Sequence, residues 1–174
     1  WLYLFVFTVI AYSAKGLRFK EKPFLDSITS ASHFVGPMIF GLSLAEANLA
    51  EPMILALIAA FTLWGVGSHS FGAVQDVIAD REGGIASIAT VIGARNTVRF
   101  SFFAYLLAAL LVVAAGQPWL LLAALPYLAL VGHFWNITDE TCESANQGWR
   151  RFIWLNFFAG AVVTFDWLIP VIFG

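Results

Sequence analysis

The chain has 174 residues, of which 60% are hydrophobic and only 11% charged, with a mean hydropathy of +0.83. A soluble domain of this size needs far more polar surface, so the composition implies a protein of the lipid bilayer. The net charge of −2 argues against nucleic-acid binding, which needs a basic face, and the single cysteine, Cys142, excludes an internal disulfide.

Apolar runs predict membrane spans over roughly 1–12, 28–45, 52–74, 98–115, 118–136 and 152–172. The first run opens at Trp1, with no Met and no basic leader, and is read as the cut end of a longer protein. Lys15, Arg18, Lys20 and Lys22 follow it. The 28–45 run carries Thr29, Ser30, Ser32, His33, Gly36 and Pro37, a composition suited to facing protein rather than lipid. The 52–74 run has no Lys, Arg, Asp or Glu, yet three acids, Asp76, Asp80 and Glu82, come directly after it. Next comes a stretch of small residues that includes Gly83, Gly84, Ser87 and Gly93, able to bring backbone close to a ligand. Asp139, Glu140 and Glu143, beyond the fifth run, read as a solvated loop, and His33, His69 and His133 as structural histidines.

Charge sets the expected orientation. Eight of the nine Lys and Arg lie on the loops after the first, third and fifth runs, which alternate to one side of the membrane, and the ninth, Arg99, is the second residue of the fourth run, at its end nearest those loops. The connections at 46–51 and 116–118 have none. The positive-inside rule places the charged loops, with Asp76 and Asp80, on the cytoplasmic face of a multi-pass protein of the cell membrane.

Asp76 and Asp80, four residues apart, share one face of a helix. Their position at a helix C-terminus opposes the helix dipole, which argues for a purpose. Two carboxylates so placed suit Mg²⁺, a hard cation that keeps several waters and bridges to phosphate oxygens. Arg18 and Lys20 on the preceding charged loop suit a diphosphate. Above them lie apolar helices with 17 Phe, 7 Trp and 4 Tyr, whose faces can stabilise a cation. A diphosphate head at the interface with an apolar tail in the bilayer describes a prenyl diphosphate. Gly65, Ser68 or His69, Gly72 and Asp76 recur at helical spacing. That face is either a substrate groove, with Ser68 and Gly72 as contacts, or a close helix–helix contact.

The stretch from Asp76 through Arg81 to Thr90, followed by Gly93, resembles the second aspartate-rich motif of the UbiA-type intramembrane prenyltransferases. Tyr12-Ser13-Ala14 with Leu17-Arg18-Phe19-Lys20 resembles the motif between that family's fourth and fifth helices, although Lys15-Gly16 stand where a Pro pair is common. The Asp76–Thr90 stretch is most similar to the carotenoid branch, the lycopene elongases. The resemblance implies an all-α polytopic transmembrane helix bundle, with residues 1–174 forming the last six helices of a nine-helix domain. It implies Asp76 and Asp80 as catalytic Mg²⁺ ligands, and Tyr12, Arg18, Lys20, Ser68, Gly72 and Arg81 as substrate-binding residues. The implied donor is dimethylallyl diphosphate and the implied lipophilic acceptor is lycopene. The family's first aspartate-rich motif is expected upstream of Trp1, and the 174 residues alone are expected to be inactive. An aromatic, quinone-precursor or chlorin acceptor remains an alternative. So does a transporter or non-catalytic lipid-binding protein, which acids gathered at one surface rather than at mid-membrane disfavour.

Overall fold

The computed structural model describes residues 1–173, apart from the side chains of Trp167, Pro170 and Val171. All regular structure among the described residues is helical. The helices are α1 (Leu2–Ser13), α2 (Leu25–Leu44), α3 (Pro52–Ala73), α4 (Val77–Glu82), α5 (Ile88–Ala114), α6 (Leu121–Gly132) and α7 (Ala145–Phe173). Short 3₁₀ turns at Phe19–Glu21, Val74–Asp76, Pro118–Leu120 and Asp139–Ser144 link them.

Local chemistry sets several ends. Pro52 opens α3, where its missing N–H costs no intrahelical bond. Ser87 caps α5 by accepting from the Thr90 N–H, while the Thr90 hydroxyl accepts from the Ser87 N–H at 2.9 Å. Gly116, at φ +78°, turns the chain just past α5.

Two stretches, Pro52–Glu82 and Ile88–Ala114, are long and apolar enough to cross a membrane. The distribution of side chains is that of a protein in lipid. Phe103, Leu107 and Leu110 of α5 and Trp154 and Phe157 of α7 point outward, while Ser68, Thr97 and Ser101 are buried.

Helix α3 lies at the centre, packed on α2 and α5, and α6 sits between α5 and α7. Small residues make these contacts close. A Cβ on Gly65 would lie 2.9 Å from the Ala31 Cβ and 3.1 Å from its Cα, and one on Gly67 would lie 3.3 Å from the Ser101 carbonyl oxygen. At Gly65, therefore, the small-residue face of α3 is a helix contact and not an open groove. Gly65→Val is expected to force α2 and α3 apart at a cost of about 1–3 kcal/mol. The measurement is the thermal midpoint in detergent, and a midpoint equal to the parent's would show that α2 can yield.

The 75–97 stretch, read above as a loop, is largely helical. It holds most of a 3₁₀ turn, α4 and the first ten residues of α5. Helix α5 starts ten residues before the predicted span because Gly93, at φ +78° and ψ 161°, breaks it internally. Sequence periodicity recognises only the continuous part beyond that break. The second span likewise begins earlier, at Leu25, which brings Asp26 into α2.

Candidate functional site: an acidic cleft

The end of α3 tightens into the 3₁₀ turn Val74–Asp76 and then re-forms as α4. Asp76 is the N-cap of α4, with φ −99°, and its side chain makes no capping bond. The dipole argument made from sequence is thereby corrected. The acids open a new short helix rather than closing α3, so the helix field does not oppose them.

Asp76 and Asp80 line one cleft of about 290 Å³. Lys20 reaches it from the Phe19–Glu21 turn, His69, Gly72 and Ala73 from the end of α3, and Gln75 from the Val74–Asp76 turn. Ile85 and Ser87 close it from the connection to α5, and Trp149 from α7. Four of the residues singled out from sequence, Lys20, Gly72, Asp76 and Asp80, thus meet in space.

The other four have different partners. Tyr12 packs edge-on against His33, with ring centroids 5.1 Å apart. Arg18 pairs with Glu21 three residues on. Ser68 is buried between α3 and α5, donating to the Trp64 carbonyl at 2.6 Å and sharing a 3.0 Å hydrogen bond with the Tyr105 hydroxyl. Arg81 donates to the Thr90 carbonyl at 2.9 Å and to Asp139 at 2.6 Å.

Asp139 is not a plain solvated acid. Its carboxylate also accepts the Ala94 N–H at 2.7 Å, the donor exposed where Gly93 breaks α5. The Ala94 N–H and then the Arg81 guanidinium hold the Asp139 carboxyl below the usual carboxylate range. This latch joins the end of α4, the start of α5 and the turn before α7.

Asp26 was missed. It is fully buried at the start of α2. Its carboxylate accepts the Ser27 N–H at 2.7 Å and the Ile88 N–H at 2.9 Å, and lies 3.8 Å from His69 Nε2. Ser27 and Ser70 hydroxyls meet beside it at 3.1 Å. A polar floor under the cleft therefore ties α2, α3 and α5 together. The signal for it was an acid only two residues ahead of the 28–45 run, where a span that starts slightly earlier buries it at a cost that calls for a role. Trp149 was also missed, being one of seven tryptophans with no distinguishing spacing.

Asp76 and Asp80 form a pair of oxygen donors rather than a closed cage. Among the described residues no three His, Cys, Asp or Glu side chains gather as a metal site. An oxygen pair open to one side suits a hard divalent cation that takes few protein ligands and completes its shell with phosphate and water.

The model of the UbiA prenyltransferase family matches residues 1–159. The chain belongs to this family. Every residue lining the cleft falls inside the UbiA match. Over 166 residues the chain is 51% identical to a lycopene elongase/hydratase of Corynebacterium glutamicum, covering 94% of this chain and 58% of that protein. It is 52% identical over 168 residues to a C50 β-cyclic carotenoids biosynthesis protein of Dietzia sp., covering 94% of this chain and 38% of that protein. A lycopene elongase/hydratase of Haloferax volcanii is 34% identical over 131 residues, or 75% of this chain and 42% of that protein. The chain thus spans about half the length of these UbiA-related proteins. No solved structure matches it.

Proposed function

We propose that this chain is the donor-binding part of an integral-membrane prenyltransferase that extends lycopene toward C50 carotenoids. The observation that carries the reading is the meeting of Asp76, Asp80 and Lys20 in one cleft of a UbiA family member. The relatives' names, a lycopene elongase/hydratase and a C50 carotenoid biosynthesis protein, point to the acceptor. Residues 1–174 form a single multi-pass domain in this reading. The gathering of all nine basic residues on the alternate connections or in the helical turns next to them supports a cytoplasmic cleft.

Asp76 and Asp80 would hold Mg²⁺ beside the diphosphate of an allylic donor such as dimethylallyl diphosphate. The ion, when bound, neutralises the charge of the leaving diphosphate. Lys20 adds a point charge to the same group. As the allylic C–O bond breaks, its electron pair leaves with the diphosphate. The terminal alkene of lycopene then bonds to the allylic carbon and becomes a tertiary cation. The hydratase half of the relatives' names favours capture of water by that cation, with release of a proton, as the final step.

The test is the pigment profile of lycopene-accumulating cells expressing the complete protein that carries this chain. Appearance of C45 and C50 carotenoids supports the reading. Unchanged lycopene beside prenylated quinone or chlorin would replace the acceptor.

The placement of Lys20 and Arg18 separates two residues that look alike in sequence. Lys20→Gln is expected to raise the donor KM roughly tenfold, the loss of one charge-assisted contact, with the acceptor KM unchanged. Arg18→Gln is expected to leave both near the parent values, because Arg18 already pairs with Glu21 outside the cleft. Steady-state kinetics with each substrate varied in turn checks both, and equal rises for donor and acceptor in the Lys20 variant would assign Lys20 to folding.

A further inference from the structure

Among the described residues, Trp149 is the one Phe, Tyr or Trp side chain lining the cleft. It stands where α7 crosses the end of α3, with its indole laid over Gly72. A Cβ on Gly72 would lie 3.1 Å from Cη2 and Cζ3 of that ring. A larger residue at position 72 would press on the indole and displace it from α3.

The ring cannot retreat. Behind Trp149 stands Phe152, stacked on it with centroids 4.8 Å apart and planes at 9°. Trp64 stacks on Phe152 at 6.2 Å and 16°, and Phe61 on Trp64 at 5.3 Å and 12°. Four near-parallel rings therefore fill the space behind the cleft between α3 and α7. The first turn of α7 is pinned as well, since Asn146 donates to the Gln75 side chain at 2.6 Å and Gln75 donates to the Gly72 carbonyl at 3.1 Å. The wall is rigid on both sides.

A donor held by its diphosphate at Asp76 and Asp80 must send its hydrocarbon tail away from those carboxylates. Trp149 is the large apolar surface of the cleft on the α7 side, and the filled ring column closes the route behind it. An indole is bulkier than one isoprene unit, so its removal opens room for one more. The geometry points to Trp149, seated on Gly72, as the residue that limits the donor to a single isoprene unit. This inference rests on the reading of the cleft as the donor site.

The experiment compares dimethylallyl and geranyl diphosphate as donors to lycopene, using the complete protein carrying this chain in membranes. The parent is expected to use the C5 donor and discriminate against the C10 donor. In the series Trp149→Phe, Trp149→Leu and Trp149→Ala, the ratio of kcat/KM for C10 over C5 is expected to rise stepwise, reaching roughly tenfold or more above the parent. Gly72→Ala pushes the indole into the cleft and is expected to move that ratio the other way, with a higher KM for the C5 donor. A purely structural role would lower both donors together and leave the ratio fixed. An active parent with an unchanged ratio across the Trp149 series overturns the inference. So does loss of both donors in all three variants, including the mild Trp149→Phe. A parent inactive with every allylic diphosphate overturns the donor-site reading itself, and the length limit falls with it.

Discussion

Asp76→Asn and Asp80→Asn are each expected to lower prenyl transfer by about a hundredfold or more, with membrane insertion and melting behaviour intact. Asn keeps the shape of Asp but loses the anionic oxygen that a hard cation requires. Both side chains face the cleft, and among the described residues neither makes a side-chain hydrogen bond like those of Asp26 or Asp139. The loss therefore falls on turnover and on the Mg²⁺ concentration needed to support it. The measurement is a Mg²⁺ titration of initial rate at saturating donor. Near-parent rates for both variants at saturating Mg²⁺ would remove these acids from the metal site.

Asp26→Ala is expected to show the reverse pattern, a fall in stability that precedes any specific kinetic change. The substitution leaves the Ile88 N–H, on a residue with no exposed surface, without its acceptor. An orphaned buried donor costs about 1–3 kcal/mol, and the Ser27 N–H loses its partner as well. Asp26→Asn is expected to recover only part of this, because its one carbonyl oxygen cannot serve both N–H groups. Intrinsic tryptophan fluorescence during a thermal ramp in detergent reads the effect. An Asp26→Ala melt superimposable on the parent's would mean that the start of α5 is held by the Ser87–Thr90 cap alone.

The sequence was most legible where one chemical property ran unbroken. Long apolar runs located α3 and the continuous part of α5, and the cluster after residue 74 marked the cleft. It was least legible where chain geometry decides which groups meet. Ser68 and Gly72 fall on one helical face by spacing, yet Ser68 turns into the α3–α5 contact while Gly72 lies under Trp149. Arg18 and Lys20 are two residues apart and chemically similar. The left-handed backbone at Arg18, with φ 41°, opens a turn in which Lys20 reaches the cleft and Arg18 finds Glu21. The partnership of Asp26 with Ile88 spans 62 residues of chain, and no local pattern encodes it. Asp139 looked like one of several surface acids because its importance comes from a helix break at Gly93, far away in sequence.

That break has a practical consequence for anyone attaching a label to this protein. The Asp139–Ser144 turn, polar and largely exposed, looks like a natural place to insert a tag or a fluorescent reporter. An insertion there would pull away the carboxylate that receives the Ala94 N–H and anchors Arg81, one residue beyond Asp80. The disturbance would travel directly to the acids at the cleft. The connection at 46–51 is the safer place. It lies on the exposed side of the bend between α2 and α3, and its backbone hydrogen bonds, among the described residues, stay within a few positions of chain.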